Sequence, residues 1–242
     1  MVREHAVSSQ TPAQPWKCKL MVERFASNTS SLFSVVSGIL YALSGILFIR
    51  FQANRFDWNS IRSIKQYLAA TPHAIAIWTL INWGAALASL LAIANVQALV
   101  KRFDGTGEAL AHWSSILAML GYGIIAVTNI ADLHQVRQLG YNRSSTNDSH
   151  PLGSQGIGSL DPDLNLRFIT LGPWFLTIGF LALPGHLLPK SLAYLGVFLG
   201  SAALVLVIAN ILKQTWLLPF AAAIAVVLHP VWLIWTGIYL TR

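Results

Sequence analysis

The sequence predicts an all-α, polytopic membrane helical bundle of six transmembrane helices plus one short interfacial helix. Three observations lead there. Apolar residues make up 55% of the 242-residue chain and charged residues only 10%, a balance that leaves too little polar surface for a water-soluble fold. Reading from charge to charge leaves six windows, each long enough for the roughly 20 apolar residues that cross a bilayer. Helix start and stop signals bound several of these windows, and helices are the only open-chain solution where lipid offers backbone groups no partner.

The first window, 31–49, follows a polar juxtamembrane tail at 1–30. It is too long for a removable signal peptide and has no convincing small-residue cleavage site, so it reads as a retained span. Residues 31–242 form the membrane domain. The second window, 72–100, opens on Thr71-Pro72, an N-cap followed by a first-turn proline that loses no helical hydrogen bond. The third covers 109–131. The fourth, 164–183, has Arg167 in its first turn, within snorkelling reach of the headgroups, and Pro184-Gly185 at its end. Pro189, Lys190 and Ser191 then force a tight helical hairpin into the fifth window, 191–212, and the sixth covers 216–240. Between the first two spans, DWNSIRSIKQYL puts Ile61, Ile64 and Leu68 on one face and Asn59, Arg62 and Gln66 on the other, as expected of a helix lying in the headgroup plane. The stretch at about 138–160, rich in Ser, Asn, Gly and Pro, has too little apolar surface to fold alone and is expected to be a mobile polar loop.

The formal charge of +7 is spread over tail and loops, which suits anionic lipid headgroups as partners and lacks the Lys/Arg density of nucleic-acid binding. Cys18 is the single cysteine, so an intrachain disulfide and a multi-cysteine zinc site are excluded; its juxtamembrane position permits palmitoylation. The 16 Lys and Arg divide evenly between the two sides, so the positive-inside rule does not orient the chain. Six spans put both termini on one side of the cell membrane. The expectation is a cytoplasmic amino terminus with the long loop outside, where the sequons at Asn142 and Asn147 would matter only in a glycosylating host.

Four features could carry chemistry. VSGILYALSGILF repeats SGIL after seven residues, so Ser37 and Ser44 share a helix face, as do Gly38 and Gly45; this pattern reads as close helix packing. LGYGII looks like a potassium-channel filter, but Gly121, Tyr122 and Gly123 fall inside a continuous apolar helix, where no carbonyl-lined loop can form. On the third span His112, Ser115, Met119, Gly123, Ile130, His134 and Arg137 fall on one broad side, with Asn129 a quarter-turn away. Either the polar ends of that stripe face the bundle interior, with Asn129 bonding across to a neighbour, or these groups reach for headgroups at the two ends of the helix. In HPVWLIWTGIYL, Pro230 has no N–H for the Val226 carbonyl, and His229 can be read as a donor repairing that defect or as a functional intramembrane group.

The absences are also informative. No HExxH, ExxH or CxxC occurs, so no local metal signature is present; a haem held between His229 and His112 or His134 is the cofactor alternative to none. The apolar cores contain no Asp or Glu, which weakens a proton-coupled carrier. There is no GxSxG elbow and no phosphate-cradling Gly loop.

The carboxyl-terminal third carries a family resemblance. Its residues are GPWFLTIGFLALPGHLLPKSLAYLGVFLGSAALVLVIAN and, later, HPVWLIWTGIYLTR. With the Leu188-Pro189-Lys190 junction, the Leu-Gly-rich span after it and the Trp232 to Gly237 ending, it is similar to a bacterial family of small six-span integral membrane proteins that constitutes a domain of unknown function. The resemblance covers 31–242 and implies an all-helical inner-membrane protein; it carries no substrate, cofactor or catalytic residue with it. The long Ser- and Asn-rich loop departs from that pattern.

The expectation is a non-enzymatic protein, an accessory, sensing or binding subunit for a membrane partner, a lipid, a small apolar molecule or a second copy of itself. Its candidate binding residues are His112, Asn129, His134, Arg137 and His229. The alternative is a membrane carrier or haem/redox protein built on the same histidines.

Overall fold

A computed structural model describes residues 15–52, 72–103, 105, 107–142, 165–185, 187–214 and 218–241. It is all-helical: α1 (Pro15–Gln52), α2 (Pro72–Val100), a 3-10 turn (Lys101–Phe103), α3 (Glu108–Asn142), α4 (Asn165–Gly185), α5 (Lys190–Ile211) and α6 (Leu218–Leu240). The amphipathic DWNSIRSIKQYL segment and the part of the polar loop after Asn142 lie outside the described residues.

Five helices are long and apolar enough to cross a membrane, over Asn28–Arg50, His73–Phe103, Glu108–His134, Asn165–Pro184 and Lys190–Ile211. In α6 the apolar described stretch is Val227–Leu240. Two helices outrun their hydropathy windows. α1 reaches back to Pro15, because Lys, Glu and Arg are good helix formers that hydropathy does not score as membrane. α3 continues to Asn142, into the stretch expected to be loop from about 138. α4 runs unbroken through Gly172-Pro173 and keeps Pro184 in its last turn.

Each helix packs on the next in sequence, and α6 returns to pack on α1, which closes the six into a ring; α2 and α6 also touch directly. Between helices in lipid there is no hydrophobic drive, so association rests on close contact and on polar bonds. α1 supplies the bonds. Ser31 Oγ donates to the Gly237 carbonyl at 2.6 Å, Ser34 Oγ to the Leu233 carbonyl at 2.7 Å and Ser37 Oγ to the Ala88 carbonyl at 2.7 Å. The SGIL repeat therefore packs: Gly38 lies against α6, where an added Cβ would sit 2.8 Å from the Pro230 carbonyl oxygen, and Ser44 faces Gly84. The α4–α5 seam is built by glycine instead. A Cβ on Gly200 would come within 2.7 Å of both the Gly172 oxygen and the Leu176 nitrogen.

Large side chains divide by position rather than by polarity. Tyr122, Trp174, Ile178, Leu192, Trp232 and Leu233 fill the interior, while Leu32, Leu80, Trp113, Ile116, Phe180 and Phe198 are exposed around the ring. An apolar exterior of this extent is a liability in water and a requirement in hydrocarbon.

Gly200→Ala is expected to cost about 1–3 kcal/mol, because the clash is with backbone that cannot rotate away. Gly123→Ala meets nothing within 4 Å and is expected to be neutral or to gain up to about 1 kcal/mol of helix propensity. Equilibrium unfolding of both variants in mixed micelles checks the contrast.

Candidate functional site

The ring brings the mid-depth residues of five helices together. Tyr41 on α1, Ser89 on α2, Tyr122 on α3 and Phe175 on α4 lie near the middle of their apolar stretches, and His229 lies near the middle of α6. The imidazole is the hub. Tyr122 Oη and His229 Nε2 are 2.9 Å apart, and their rings lie 5.8 Å centroid to centroid with only 22° between planes. Tyr41 approaches the same imidazole at 4.8 Å and 51°. Phe175 meets it edge-on at 5.5 Å and 77°, and also meets Trp232 edge-on at 5.0 Å and 89°.

A second hydrogen-bond chain leads away from this hub. Tyr41 Oη and Ser89 Oγ are 2.6 Å apart. Ser89 spends its single proton on the Ala85 carbonyl at 2.7 Å, so Tyr41 is the donor to Ser89. For the Tyr122–His229 bond the direction follows the tautomer: Tyr122 donates when Nε2 is bare and accepts when Nε2 carries the proton. The pair can therefore present either polarity to a neighbour without either member becoming charged.

Of the residues singled out from sequence whose side chains are described, His229 alone is placed in this interior. His112 is 57% exposed at the start of α3, where its Nε2 lies 3.8 Å from Glu108 Oε1, one turn earlier. Asn129 turns its amide back to its own helix, Nδ2 to the Ile125 carbonyl at 2.7 Å. His134 is exposed toward the other end of α3, and the Arg137 side chain lies outside the described residues. Neither His112 nor His134 is brought to His229. The buried face of α3 is instead Ala111, Ser114, Ser115, Ala118, Tyr122, Ile125 and Ala126, while Ile130 points outward. Arg167 leans inward as well as outward: it is half-buried, with Nη2 at a long 3.4 Å from Thr128 Oγ1.

Tyr122 is the functional candidate that the sequence reading passed over. It lies inside the LGYGII run, where a filter-like pattern drew attention to the glycines. The signal available was its position, since it is a phenol near the midpoint of an apolar span, as Tyr41 is on the first. His229 likewise gains a partner outside its own helix: its Nε2 is engaged by α3 rather than by the turn that Pro230 disturbs. The combination of neutral donors and acceptors with aromatic walls suits binding of an uncharged molecule.

Tyr122→Phe and His229→Leu should each destabilise the protein, and together by less than the sum. The expected coupling is about 1 kcal/mol. Unfolding in micelles of the wild type, the two single variants and the double variant measures it; strict additivity would mean that the bond contributes nothing.

Compared with protein-family models, with curated proteins and with solved structures, the chain finds no match in any of the three.

Proposed function

We propose that this chain is a six-span, non-enzymatic integral membrane protein that takes a small uncharged, largely apolar molecule into its helical ring and acts as a binding or sensing subunit. The observation that carries the reading is the Tyr122–His229 pair, a hydrogen-bonded imidazole near mid-depth with Tyr41 and Phe175 against it. An ionisable group at that depth is expensive in hydrocarbon and is a functional candidate by default. Packing alone would be served by leucine.

The sixth crossing belongs to this reading. α6 has 23 residues; at about 1.5 Å per residue that length matches a hydrocarbon core of roughly 30 Å. Six crossings return the carboxyl terminus to the side of the amino terminus, which we assign to the cytoplasm. The haem alternative draws no support from the positions of the histidines, since His112 and His134 are exposed on α3 and His229 Nε2 is engaged by Tyr122. A bacterial inner-membrane setting follows from the family resemblance.

Purification from native membranes in mild detergent, followed by organic extraction and mass spectrometry, tests the proposal. The wild type should carry an uncharged lipophilic molecule in near-stoichiometric amount. A folded Tyr122→Phe/His229→Gln protein should carry about tenfold less, the equivalent of about 1.4 kcal/mol. Equal recovery from both proteins, or a Soret band in the wild type, would sink the reading.

A further inference from the structure

Four buried polar atoms have no hydrogen-bond partner among the described residues: Asn95 Oδ1, Trp174 Nε1, Trp232 Nε1 and Thr236 Oγ1. Their residues are 1%, 0%, 1% and 0% exposed. Orphaned buried groups are rare in native proteins, and each calls for an explanation. In hydrocarbon, bulk water is not at hand to supply the missing bond.

The orphans lie on three helices of one ring, two of them on α6. Trp232 and Thr236 are four residues apart on α6 and share a face. The Trp232 indole nitrogen looks toward α5 where there is no side chain, since a Cβ on Gly196 would lie 3.3 Å from Nε1. Its ring touches Phe175, whose chain neighbour Trp174 belongs to the same core cluster. The register of α1 places Asn95. Ser37 bonds the Ala88 carbonyl of α2 and Ser31 bonds the Gly237 carbonyl of α6. Seven residues beyond Ala88 along α2 is about two turns, which brings Asn95 to the level of Ser31, and so of Thr236. An acceptor on α2 and donors on α6 thus occupy one layer without using each other.

We propose that this layer is a subsite for the uncharged hydroxyl head of an apolar, membrane-soluble alcohol. A hydroxyl has the matching valence: its oxygen accepts from the indole N–H and the threonine hydroxyl, and its proton goes to Asn95 Oδ1. None of the four residues is ionisable, so a charged head would enter uncompensated. Arg102, about two turns beyond Asn95, is taken up at the end of α6, by the Leu240 carbonyl at 3.1 Å and the Tyr239 ring at 5.3 Å. The inference rests on the ring interior being a binding site and adds the chemistry that is recognised there.

The test uses the full-length protein in lipid nanodiscs, with farnesol, its methyl ether and the parent hydrocarbon as probes. Two readouts apply: the thermal unfolding midpoint, and the indole N–H resonances of Trp174 and Trp232, assigned through Trp→Phe variants. Farnesol should raise the midpoint and move the indole protons downfield. The ether, which has no proton for Asn95, should bind about tenfold more weakly, and the hydrocarbon should do neither. Asn95→Leu and Thr236→Val keep shape and remove an orphan. Each should unfold at or above the wild-type temperature without ligand and lose the farnesol shift. Equal farnesol shifts in wild type and both variants would overturn the subsite, as would indole protons that are already hydrogen-bonded without probe and do not move, the mark of resident water only. A shift kept by Asn95→Leu and Thr236→Val but lost in Tyr122→Phe removes the hydroxyl subsite and leaves the interior reading standing. No shift in any protein, together with no co-purifying molecule, removes both.

Discussion

Everything in this bundle depends on what lipid withholds: helices that leave hydrocarbon for each other gain no hydrophobic free energy. Affinity must come from backbones drawn close and from hydroxyls spent on neighbouring carbonyls. α1 meets that demand on both flanks, with Ser31 and Ser34 bound to α6 and Ser37 bound to α2. Gly38 lets the α6 backbone approach at the Pro230 carbonyl. The positions of Tyr41 and His229 follow, because the two rings can meet only where α1 and α6 are pinned in register.

The same constraint orders the interior. Hydroxyls near the helix seams are satisfied locally: Thr128 and Thr170 bond back within their own helices, and the serines bond across. Near mid-depth the pattern changes to aromatic rings around one imidazole, and elsewhere in the interior to buried polar atoms that no described group satisfies. Polarity therefore rises inward in a molecule whose exterior is apolar, the inverse of a water-soluble core.

The spans were legible because charge and proline mark where hydrocarbon ends. Pro72 opens α2 as its place in the sequence indicates, and the Pro189-Lys190 junction separates α4 from α5. The extension of α1 to Pro15 was not legible, since hydropathy measures preference for lipid and says little about helix formation in the headgroup region or beyond. The rotation of α3 was lost for a different reason. On a helix that is apolar all round, pattern cannot tell a lipid-facing side from a packed one, and the polar ends at His112 and His134 suggested a stripe of which packing takes up Ser115 and Met119 and leaves Ile130 outside. His229 was recoverable from chemistry alone, as an ionisable group beside a proline. Its partner was not, because the bond spans 107 positions of chain and is fixed only by how α3 and α6 turn in the ring.

The α1–α6 contact also sets an order of events. Ser31 and Gly237 are 206 positions apart and Ser34 and Leu233 are 199 apart, so the seam that closes the ring forms only after all six helices have been synthesised. Contacts of such separation form late. Until α6 arrives, α1 to α5 make an open arc whose serines and central aromatics face the gap. In that interval the interior is a cleft open along its side to the membrane. Closure by α6 then joins completion of the fold to the burial of the imidazole and its aromatic neighbours.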